Sequence, residues 1–388
     1  NGTQPMSTGA QQRMEGLYAV SEGGFRFGEQ VVLQWSWTRS SADTTYTVSI
    51  FSEQDAGYIV GQGRWLGDTV LLNMYWQQGI TTETGLCRMR IRPGQGAELL
   101  RNGDAITPGS ITIDGSFGDG QELPERPLVL RYLGPVHARP EYEVLAHRCG
   151  GRNEDALPAS ENSVEMILLA PRLGATGVEM DVRLTSDGVP VLYHDNTLNA
   201  RCIQPCGLFG PLENYSYAQL DGLVRLVHGE RIPTLREALT AVVDRTGLRV
   251  VWLDTKAIGG SMPAVHALQL EFMARAAAQG RAVRILIGLP DDDQVAHYLE
   301  LSDQADAPAL CEGSIDQVHQ TDAEVWAPRW TLGLVPGETA QMHAEGRRVF
   351  TWTLDVPDYI RTYIADGDFD GMLSNYSTLV AYYTHALP

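Results

Sequence analysis

The first third of the chain alternates apolar and polar residues with a period of two. Examples are VVLQWSWT at residues 31–38 and TYTVSIFS at residues 45–52, and clusters of Gly, Asp and Asn separate such runs. This period is typical of strands with one buried face, and turn residues between them indicate antiparallel pairing. The pattern from residue 16 to about residue 133 therefore predicts an antiparallel sandwich or small barrel, with no helix before residue 155.

The pattern changes after PVHARPEYE, a segment at residues 135–143 that contains two prolines. Short apolar runs then alternate with segments whose apolar residues recur every three to four positions, which predicts strands alternating with helices. The predicted strands are VLAH, GVEMDV, VPVLYH, RVVWLD, RILIGL, VFTWTL and DGMLS. The predicted helices cover residues 161–172, 234–245, 263–279, 291–301, 337–345 and 357–366.

These two patterns predict two domains, because 388 residues exceed what a single core usually holds. We expect an all-β domain over residues 1–135, a linker at 136–143 and an α/β domain over 144–388. Repeated βα units are typical of a (β/α)8 TIM barrel, although a doubly wound sheet has the same order of elements. The candidate site residues favour the barrel, because they stand at the ends of predicted strands, where TIM barrels hold their active sites.

The composition is that of a globular protein with an acidic surface. Hydrophobic residues make up 43% of the sequence, and the formal net charge at pH 7 is -19. No nucleic-acid partner is expected, because binding to a phosphate backbone requires clustered Lys and Arg. No apolar run reaches the about 18 residues that a transmembrane helix needs, so no membrane span is expected.

The five cysteines show no metal-binding spacing, so a structural zinc site is not expected. Cys202 and Cys206, in RCIQPCG, either close a small loop as a disulfide or remain free thiols. A disulfide would indicate an oxidising compartment. The first residues show no signal peptide; we expect a mature extracytoplasmic chain, with a cytoplasmic location as the alternative.

Acidic residues stand on two of the predicted apolar strands. Glu179 and Asp181 are two residues apart, so both side chains point to one face of their strand. Two such carboxylates repel each other unless a cation lies between them, and their oxygens suit Mg²⁺ or Ca²⁺ better than zinc. Asp254 and Lys256 share a face in the same way. Asp254 is therefore a candidate third ligand, and Lys256 is a candidate partner for a phosphate.

Two histidines end predicted strands, His147 the first and His194 the third. Their ordinary pKa near neutrality suits general acid and base catalysis, and Arg148 offers a planar fork for a phosphate or a carboxylate. Taken singly, a strand-end histidine is more often structural, and a lone lysine is more often a surface residue. The convergence of these residues at strand ends, where TIM barrels hold their active sites, favours catalysis.

These segments together resemble the glycerophosphodiester phosphodiesterase family over about residues 144–380. The resemblance rests on AHR followed by SENS, on GVEMDVRLTSDGVPVLYHDNTL and on LDTK, with weaker matches at IPTLREAL, RVFTWTLD and FDGMLSNY. It implies a (β/α)8 barrel of the phospholipase-C-like phosphodiesterase type. It also implies a metal-dependent hydrolase that acts on a small glycerophosphodiester and releases an alcohol and glycerol phosphate through a cyclic phosphate.

The resemblance further implies a role for each candidate residue. His147 and His194 would be the general acid/base pair, and Lys256 would assist them. The implied ligands of one divalent cation, Mg²⁺ or Ca²⁺, are Glu179, Asp181 and Asp254. The implied substrate-binding residues are Arg148, Glu161 and Trp352.

Some positions depart from the family pattern. Asp254 stands where the family usually has glutamate, and Cys149 stands where it usually has glycine. Pro171 is expected to end its helix early, and RCIQPCG replaces an Arg-Thr-Thr run. Every acid/base residue is present, so we expect an active enzyme. A phospholipase or lysophospholipase D that forms a cyclic phosphate is the alternative activity.

A long insertion at residues 196–231 exceeds the usual length of a βα loop, so we expect it to cap the site. Its aromatic residues Phe209, Tyr215 and Tyr217 either line the alcohol pocket or pack on the barrel rim.

Four tryptophans of the all-β domain have two interpretations. They either form a platform for a glycan or lipid surface or belong to the core. These residues are Trp35, Trp37, Trp65 and Trp76.

Overall fold

The computed structural model describes residues 2–40, 43–256 and 262–388. The chain forms two compact units. The first comprises Asn1–Pro140, Arg172–Gly174 and Thr378–Pro388, and the second comprises Glu141–Pro171 and Ala175–Ser377. The domain boundaries at residues 135 and 144 remain a prediction.

The first unit is built on an antiparallel sheet. Its strands β1 to β9 are Thr3–Pro5, Gly16–Glu22, Gln30–Arg39, Thr44–Ser52, Tyr58–Leu66, Thr69–Gln77, Thr84–Ile91, Thr112–Phe117 and Arg126–Gly134. From β2 to β9 each strand pairs with the next, and β9 pairs with β2, so these strands close into an up-and-down barrel. β1 pairs with β5 outside this ring. Of the two predicted all-β architectures, the structure has the small barrel.

Short helices also occur in this unit, so the prediction of no helix before residue 155 is wrong. They are α1 (Thr8–Met14), α2 (Gly24–Phe27) and α3 (Ala97–Asn102). At the start of α1 the Ser7 hydroxyl accepts a hydrogen bond from the Ala10 amide at 3.3 Å, and Ala10 and Met14 are buried in the core. Helices of four to seven residues are too short to show a helical repeat in the sequence.

The tryptophans of this unit pack mainly into the core of the barrel. Trp76 lies edge-on to Phe27 with ring centroids 5.8 Å apart, and Trp65 is buried in the same core. Trp35 packs against that core, and Trp37 is half-buried. This distribution favours the core interpretation of the tryptophans over a binding platform.

The second unit is built on a mostly parallel sheet. Its strands β10 to β18 are Glu143–Ala146, Gly177–Leu184, Pro190–Leu192, Val250–Thr255, Arg284–Leu289, Ala309–Cys311, Val325–Trp326, Arg348–Thr351 and Gly371–Ser374. All of them except β12 run parallel, and they close into a ring because β10 pairs with both β11 and β18. β12 pairs antiparallel with β11 outside the ring.

Helices connect the strands of this ring. The helices α4 to α11 are Val164–Leu169, Tyr217–Leu223, Leu235–Arg245, Met262–Ala278, Asp292–Leu299, Ile315–Thr321, Pro336–Ala344 and Pro357–Asp366. α12 (Ser377–Ala386) follows β18, and all but its first residue belongs to the first unit. Strand–helix repeats around a closed parallel ring are the arrangement of a (β/α)8 barrel. No helix in the described ranges is long and apolar enough to cross a bilayer.

The segment VPVLYH was predicted as a strand of this parallel array, and that prediction is wrong. Its residues Pro190–Leu192 form β12, the hairpin partner of β11. Short apolar runs look alike in the sequence whether they join a ring or fold back as a hairpin. His194 therefore follows a hairpin strand and does not end a strand of the ring.

Candidate active site

Three carboxylates meet on the strands β11 and β13 of the parallel ring. Glu179 and Asp181 lie on β11, and Asp254 on β13 is the register partner of Asp181. Glu179 and Asp181 are 2% and 1% exposed. One carboxylate oxygen from each of the three residues lies within 4.8 Å of the others. The structure thus brings together all three residues predicted to bind metal.

Burial and mutual repulsion oppose the ionisation of this cluster. Burial, Asp181 and Asp254 raise the pKa of Glu179 well above its ordinary value. Burial also raises the pKa of Asp254, against the opposite effect of Lys256. For Asp181, burial acts to raise the pKa, but Lys256 and His194 outweigh it and the pKa is lowered. Without a further positive charge, these carboxylates are an unfavourable group to bury.

Each of these carboxylates has one buried oxygen without a hydrogen-bond partner among the described residues. These atoms are Oε1 of Glu179, Oδ1 of Asp181 and Oδ1 of Asp254. A buried carboxylate oxygen without a partner is costly, and a cation bound by three such oxygens would remove that cost. Donor sets made only of oxygen suit Mg²⁺ and Ca²⁺. The residues present therefore fit a divalent cation.

Lys256 supplies a positive charge beside the same carboxylates. Its Nζ contacts Asp254 and lies 3.4 Å from Oδ1 of Asp181. Burial acts to lower the pKa of Lys256, but Asp254 and Asp181 outweigh it and raise the pKa. The ammonium group therefore stays charged at neutral pH, as the predicted contact with a phosphate requires.

His147 follows β10 directly and is held through Nδ1. This atom lies 2.7 Å from Oδ1 of Asn375, whose amide nitrogen donates to Asp355 at 2.6 Å. The amide oxygen can only accept, so the Nδ1–H of His147 donates to it. The other ring nitrogen, Nε2, is left as an acceptor, 3.8 Å from Oε2 of Glu179.

His194 reaches the same site from the hairpin formed by β11 and β12. Its Nδ1 lies 2.7 Å from Oδ1 of Asp195, and its Nε2 lies 3.0 Å from Nη2 of Arg148. A guanidinium only donates, so Nε2 is the acceptor and the Nδ1–H donates to Asp195. The buried guanidinium of Arg183 donates to the backbone carbonyl of His194 at 3.0 Å and fixes the chain there.

Arg148 joins the carboxylate cluster to the histidines. Its backbone N–H donates to Oε2 of Glu179 at 2.7 Å, and its guanidinium donates to both oxygens of Glu161 at 3.1 and 3.3 Å. The left-handed φ of 51° at Arg148 and of 72° at Cys149 allows this turn. A left-handed φ at Cys149 accounts for the glycine that the family usually has there.

Other residues support the site although the sequence did not single them out. Asn375 and Asp355 hold His147, and Arg201 donates to Glu161 at 2.8 and 2.9 Å. They stand in FDGMLSNY, VFTWTLD and RCIQPCG, segments that were compared with the family without a role for these residues. Asn375 directly follows β18, and that position at a strand end was the available signal; Asp355 and Arg201 offered no comparable signal.

Trp352 lies just beyond β17. Its indole N–H donates to the Ala327 carbonyl at 2.8 Å, and its ring packs against the apolar cluster inside the parallel ring. Contacts of Trp352 and Glu161 with substrate remain predictions.

Residues of the insertion at 196–231 form an apolar cluster together with Val191, Tyr193 and Ile232. Tyr215 and Tyr217 pack against this cluster, whereas Phe209 is 79% exposed. Cys202 and Cys206 are free thiols, so no disulfide closes the RCIQPCG loop.

We expect His147 to reduce the stability of the metal-free protein on acidification. Burial and Arg148 lower the pKa of His147 to about 4, whereas an unfolded histidine titrates near 6.5. Between these values the unfolded chain binds a proton that the folded chain does not. Stability is therefore lost as the pH falls from about 6.5 toward 4, by up to about 1.4 kcal/mol per pH unit.

This expectation is checked with chelated protein unfolded by urea at several pH values between about 4.5 and 7. The free energy of unfolding should depend less steeply on pH in His147→Gln than in the wild type. His228→Gln, at an exposed position, is the control and should keep the wild-type slope. If the free energy of unfolding had the same pH dependence in the wild type and in His147→Gln, the lowered pKa of His147 would be contradicted.

Comparison with known proteins gives one family. Residues 147–378 match the model of the glycerophosphoryl diester phosphodiesterase family. Glycerophosphodiester phosphodiesterase 1 of Rattus norvegicus is 37% identical over 139 residues, which are 35% of this chain and 39% of the rat protein. A Mycobacterium tuberculosis relative, also named as a glycerophosphodiester phosphodiesterase, is 29% identical over 254 residues, 61% of this chain and 88% of the relative.

A solved structure with a similar chain path is a glycerophosphodiester phosphodiesterase from Parabacteroides distasonis. It has a TM-score of 0.48 and 20% identity, and the alignment covers 60% of this chain and 94% of that chain. The chain spans about two fifths of the rat relative's length, and the first 146 residues lie outside the family match. Because the match covers more than half of the sequence, this chain belongs to the glycerophosphoryl diester phosphodiesterase family.

Proposed function

We propose that this chain is a metal-dependent hydrolase that cleaves glycerophosphodiesters into an alcohol and glycerol phosphate. One observation carries the proposal. Three carboxylates, a charged lysine and two histidines with unprotonated Nε2 atoms meet around the ends of β10, β11 and β13, and each carboxylate has a buried oxygen that accepts no hydrogen bond from the described residues. Charge neutralisation and proton transfer, the two requirements of phosphodiester hydrolysis, are thereby available in one place.

Glu179, Asp181 and Asp254 would hold one divalent cation, Mg²⁺ or Ca²⁺. A cation there supplies charge neutralisation at a phosphate oxygen and lowers the pKa of a substrate hydroxyl. Asp254 is one methylene shorter than the glutamate usual in the family. Its contact with Lys256 keeps the third carboxylate directed at the cluster.

Arg148 and Lys256 provide positive charge for the phosphate. Lys256 lies against the carboxylates, and Arg148 places its Nη2 against Nε2 of His194. A phosphate oxygen is a better acceptor for a guanidinium than a neutral imidazole. Substrate would therefore draw the Arg148 guanidinium away and free Nε2 of His194 for proton transfer.

The two histidines would handle the protons of the reaction. In each ring Nδ1–H is anchored on an acceptor, Asn375 for His147 and Asp195 for His194, so Nε2 is the atom that exchanges protons. One histidine takes the proton of the attacking hydroxyl on its Nε2, and the other, once its Nε2 has taken up a proton from solvent, donates that proton to the departing alkoxide. The roles reverse when water opens the cyclic phosphate that the family resemblance implies.

Product analysis distinguishes this function from the alternative phospholipase. Wild-type protein with Mg²⁺ or Ca²⁺ is expected to release choline and glycerol phosphate from glycerophosphocholine faster than it releases choline from lysophosphatidylcholine. His194→Ala from the same purification controls for contaminating hydrolases. Choline release from lysophosphatidylcholine alone would support the phospholipase, and release from neither substrate would contradict the proposal.

A further inference from the structure

Five side chains beside the carboxylate cluster form a closed ring of hydrogen bonds, here called the charge ring. Its members are His194, Asp195, Arg201, Glu161 and Arg148. His194 pairs with Asp195 at 2.7 Å, and Asp195 accepts from Arg201 at 2.5 and 3.0 Å. Arg201 donates to Glu161 at 2.8 and 2.9 Å, and Glu161 accepts from Arg148 at 3.1 and 3.3 Å. The contact of 3.0 Å between Arg148 and His194 closes the ring.

Arg201 has used nearly all of its donors within the charge ring. Nε and Nη2 donate to Asp195, and Nη1 and Nη2 donate to Glu161. Glu154 also lies 3.7 Å from Nη1. A planar guanidinium can join two carboxylates in this way, whereas an ammonium group cannot reproduce the two parallel pairs. The geometry leaves Arg201 little capacity to bind substrate and suits it to hold its two partners.

Each partner of Arg201 holds a group that the proposed reaction uses. Asp195 accepts the Nδ1–H of His194 and so keeps Nε2 without a proton. Glu161, 3% exposed, accepts from the Arg148 guanidinium. Burial acts to raise the pKa of Asp195, but Arg201 and His194 outweigh it and lower the pKa. Arg201 thus stabilises Asp195 as the charged acceptor that His194 requires.

Local hydrogen bonds fix where Arg201 stands. Its backbone N–H donates to Oδ1 of Asn199 at 3.0 Å, and its carbonyl accepts from Nδ2 of Asn153 at 2.9 Å. Asn199 also donates to Asp195 at 2.8 Å, and Asn153 accepts from the Glu161 amide at 2.9 Å. The backbone of Arg201 is therefore tied, through Asn199 and Asn153, to the same two residues that its side chain contacts.

From this geometry we propose that Arg201 is a positioning residue for the reaction. By holding Asp195 and Glu161, it keeps the proton of His194 on Nδ1, leaves Nε2 unprotonated, and keeps the Arg148 guanidinium in the site for the phosphate. The proposal rests on the proposed acid/base role of His194. The expected effect of losing Arg201 is on kcat more than on KM, because the affected groups act on protons and charge during the chemical step.

The test compares Arg201→Met and Arg201→Lys with a matched control, Arg231→Met. Arg231 also joins two carboxylates, Asp221 at 2.6 Å and Glu237 at 3.0 Å, but these lie on the insertion and on α6. With glycerophosphocholine at saturating Mg²⁺, Arg201→Met should lower kcat by about 10- to 100-fold. Arg201→Lys should recover only part of that loss, and Arg231→Met should stay within about twofold of the wild type.

A second readout does not depend on turnover. In protein labelled with ¹⁵N-histidine, the His194 signals, identified by their loss in His194→Gln, should report a neutral ring protonated at Nδ1. Arg201→Met should shift the proton to Nε2 or allow the Nδ1–H and Nε2–H tautomers to interconvert. Arg231→Met should leave the tautomer unchanged. If Arg201→Met is poorly folded, Arg201→Lys is measured in its place.

Two results would overturn the positioning role. One is a kcat of the Arg201 variants within about twofold of the wild type, since a positioning residue should cost at least tenfold. The other is a lower kcat with an unchanged His194 tautomer, because the loss would then have another cause. Full activity in His194→Ala would instead overturn the proposed function. Inactive His194→Ala together with active Arg201→Met overturns the positioning role alone.

Discussion

Replacing either histidine with alanine is expected to lower kcat on glycerophosphocholine by about two to four powers of ten. In the structure both imidazoles donate Nδ1–H to a fixed acceptor, so Nε2 carries no proton. Nε2 of His147 lies beside Glu179, and Nε2 of His194 lies beside Arg148. Alanine removes the only atom in each ring that can exchange a proton with substrate. KM should change much less than kcat, because neither ring provides the main charge for the phosphate.

Steady-state kinetics of His147→Ala and His194→Ala at saturating Mg²⁺ measure this effect, with circular dichroism to show that both variants fold. His228→Ala, at an exposed position of the insertion, should retain wild-type kinetics. A kcat of either site variant close to that of the wild type would remove that histidine from the acid/base pair.

The second large effect is expected for Glu179→Gln, which should abolish turnover and yet stabilise the metal-free protein. Burial and two neighbouring carboxylates disfavour a charge on Glu179, and the amide keeps the shape of the side chain without that charge. The amide oxygen can still accept from the Arg148 backbone N–H, which donates to Glu179 at 2.7 Å. The free energy of unfolding of the chelated protein should therefore rise by about 1–2 kcal/mol.

Urea unfolding with and without Mg²⁺ separates the two parts of this expectation. A cation that binds the folded state and not the unfolded chain should raise the free energy of unfolding of the wild type by mass action. Glu179→Gln should show little of this increase. Glu165→Gln makes the same chemical change at an exposed position of α4 and should behave like the wild type. A chelated Glu179→Gln protein that is less stable than the chelated wild type would contradict the proposed repulsion.

Periodicity in the sequence was sufficient to predict an all-β unit followed by a βα unit, but it left two architectures open for each. A run such as LREALTAVVDR repeats its apolar residues over three turns, and the predicted helix at 234–245 corresponds to α6. Elements too short to repeat a pattern escaped detection. β15 and β16 have three and two residues, and α1 has seven, so pairing and burial in the folded protein determine them.

The site could be predicted as far as its residues share a strand, stand next to each other in a motif, or lie near the ends of predicted strands that meet in a barrel. Glu179 and Asp181 were placed on one face by their spacing alone. Contacts between distant segments were not predictable in that way: Arg201 meets Glu161 across 40 positions, and Asn375 meets His147 across 228. These contacts depend on how the parallel strands among β10 to β18 close into a barrel and on the path of the insertion at residues 196–231. Periodicity specifies neither.

The central claim is that Glu179, Asp181 and Asp254 hold one divalent cation on which turnover depends. The most direct test is the rate of glycerophosphocholine hydrolysis by exhaustively chelated wild-type protein as Mg²⁺ or Ca²⁺ is added back, with the bound metal measured in parallel. The rate should rise from near zero with bound cation and level off at one ion per chain. Full activity of the metal-free protein would contradict the claim.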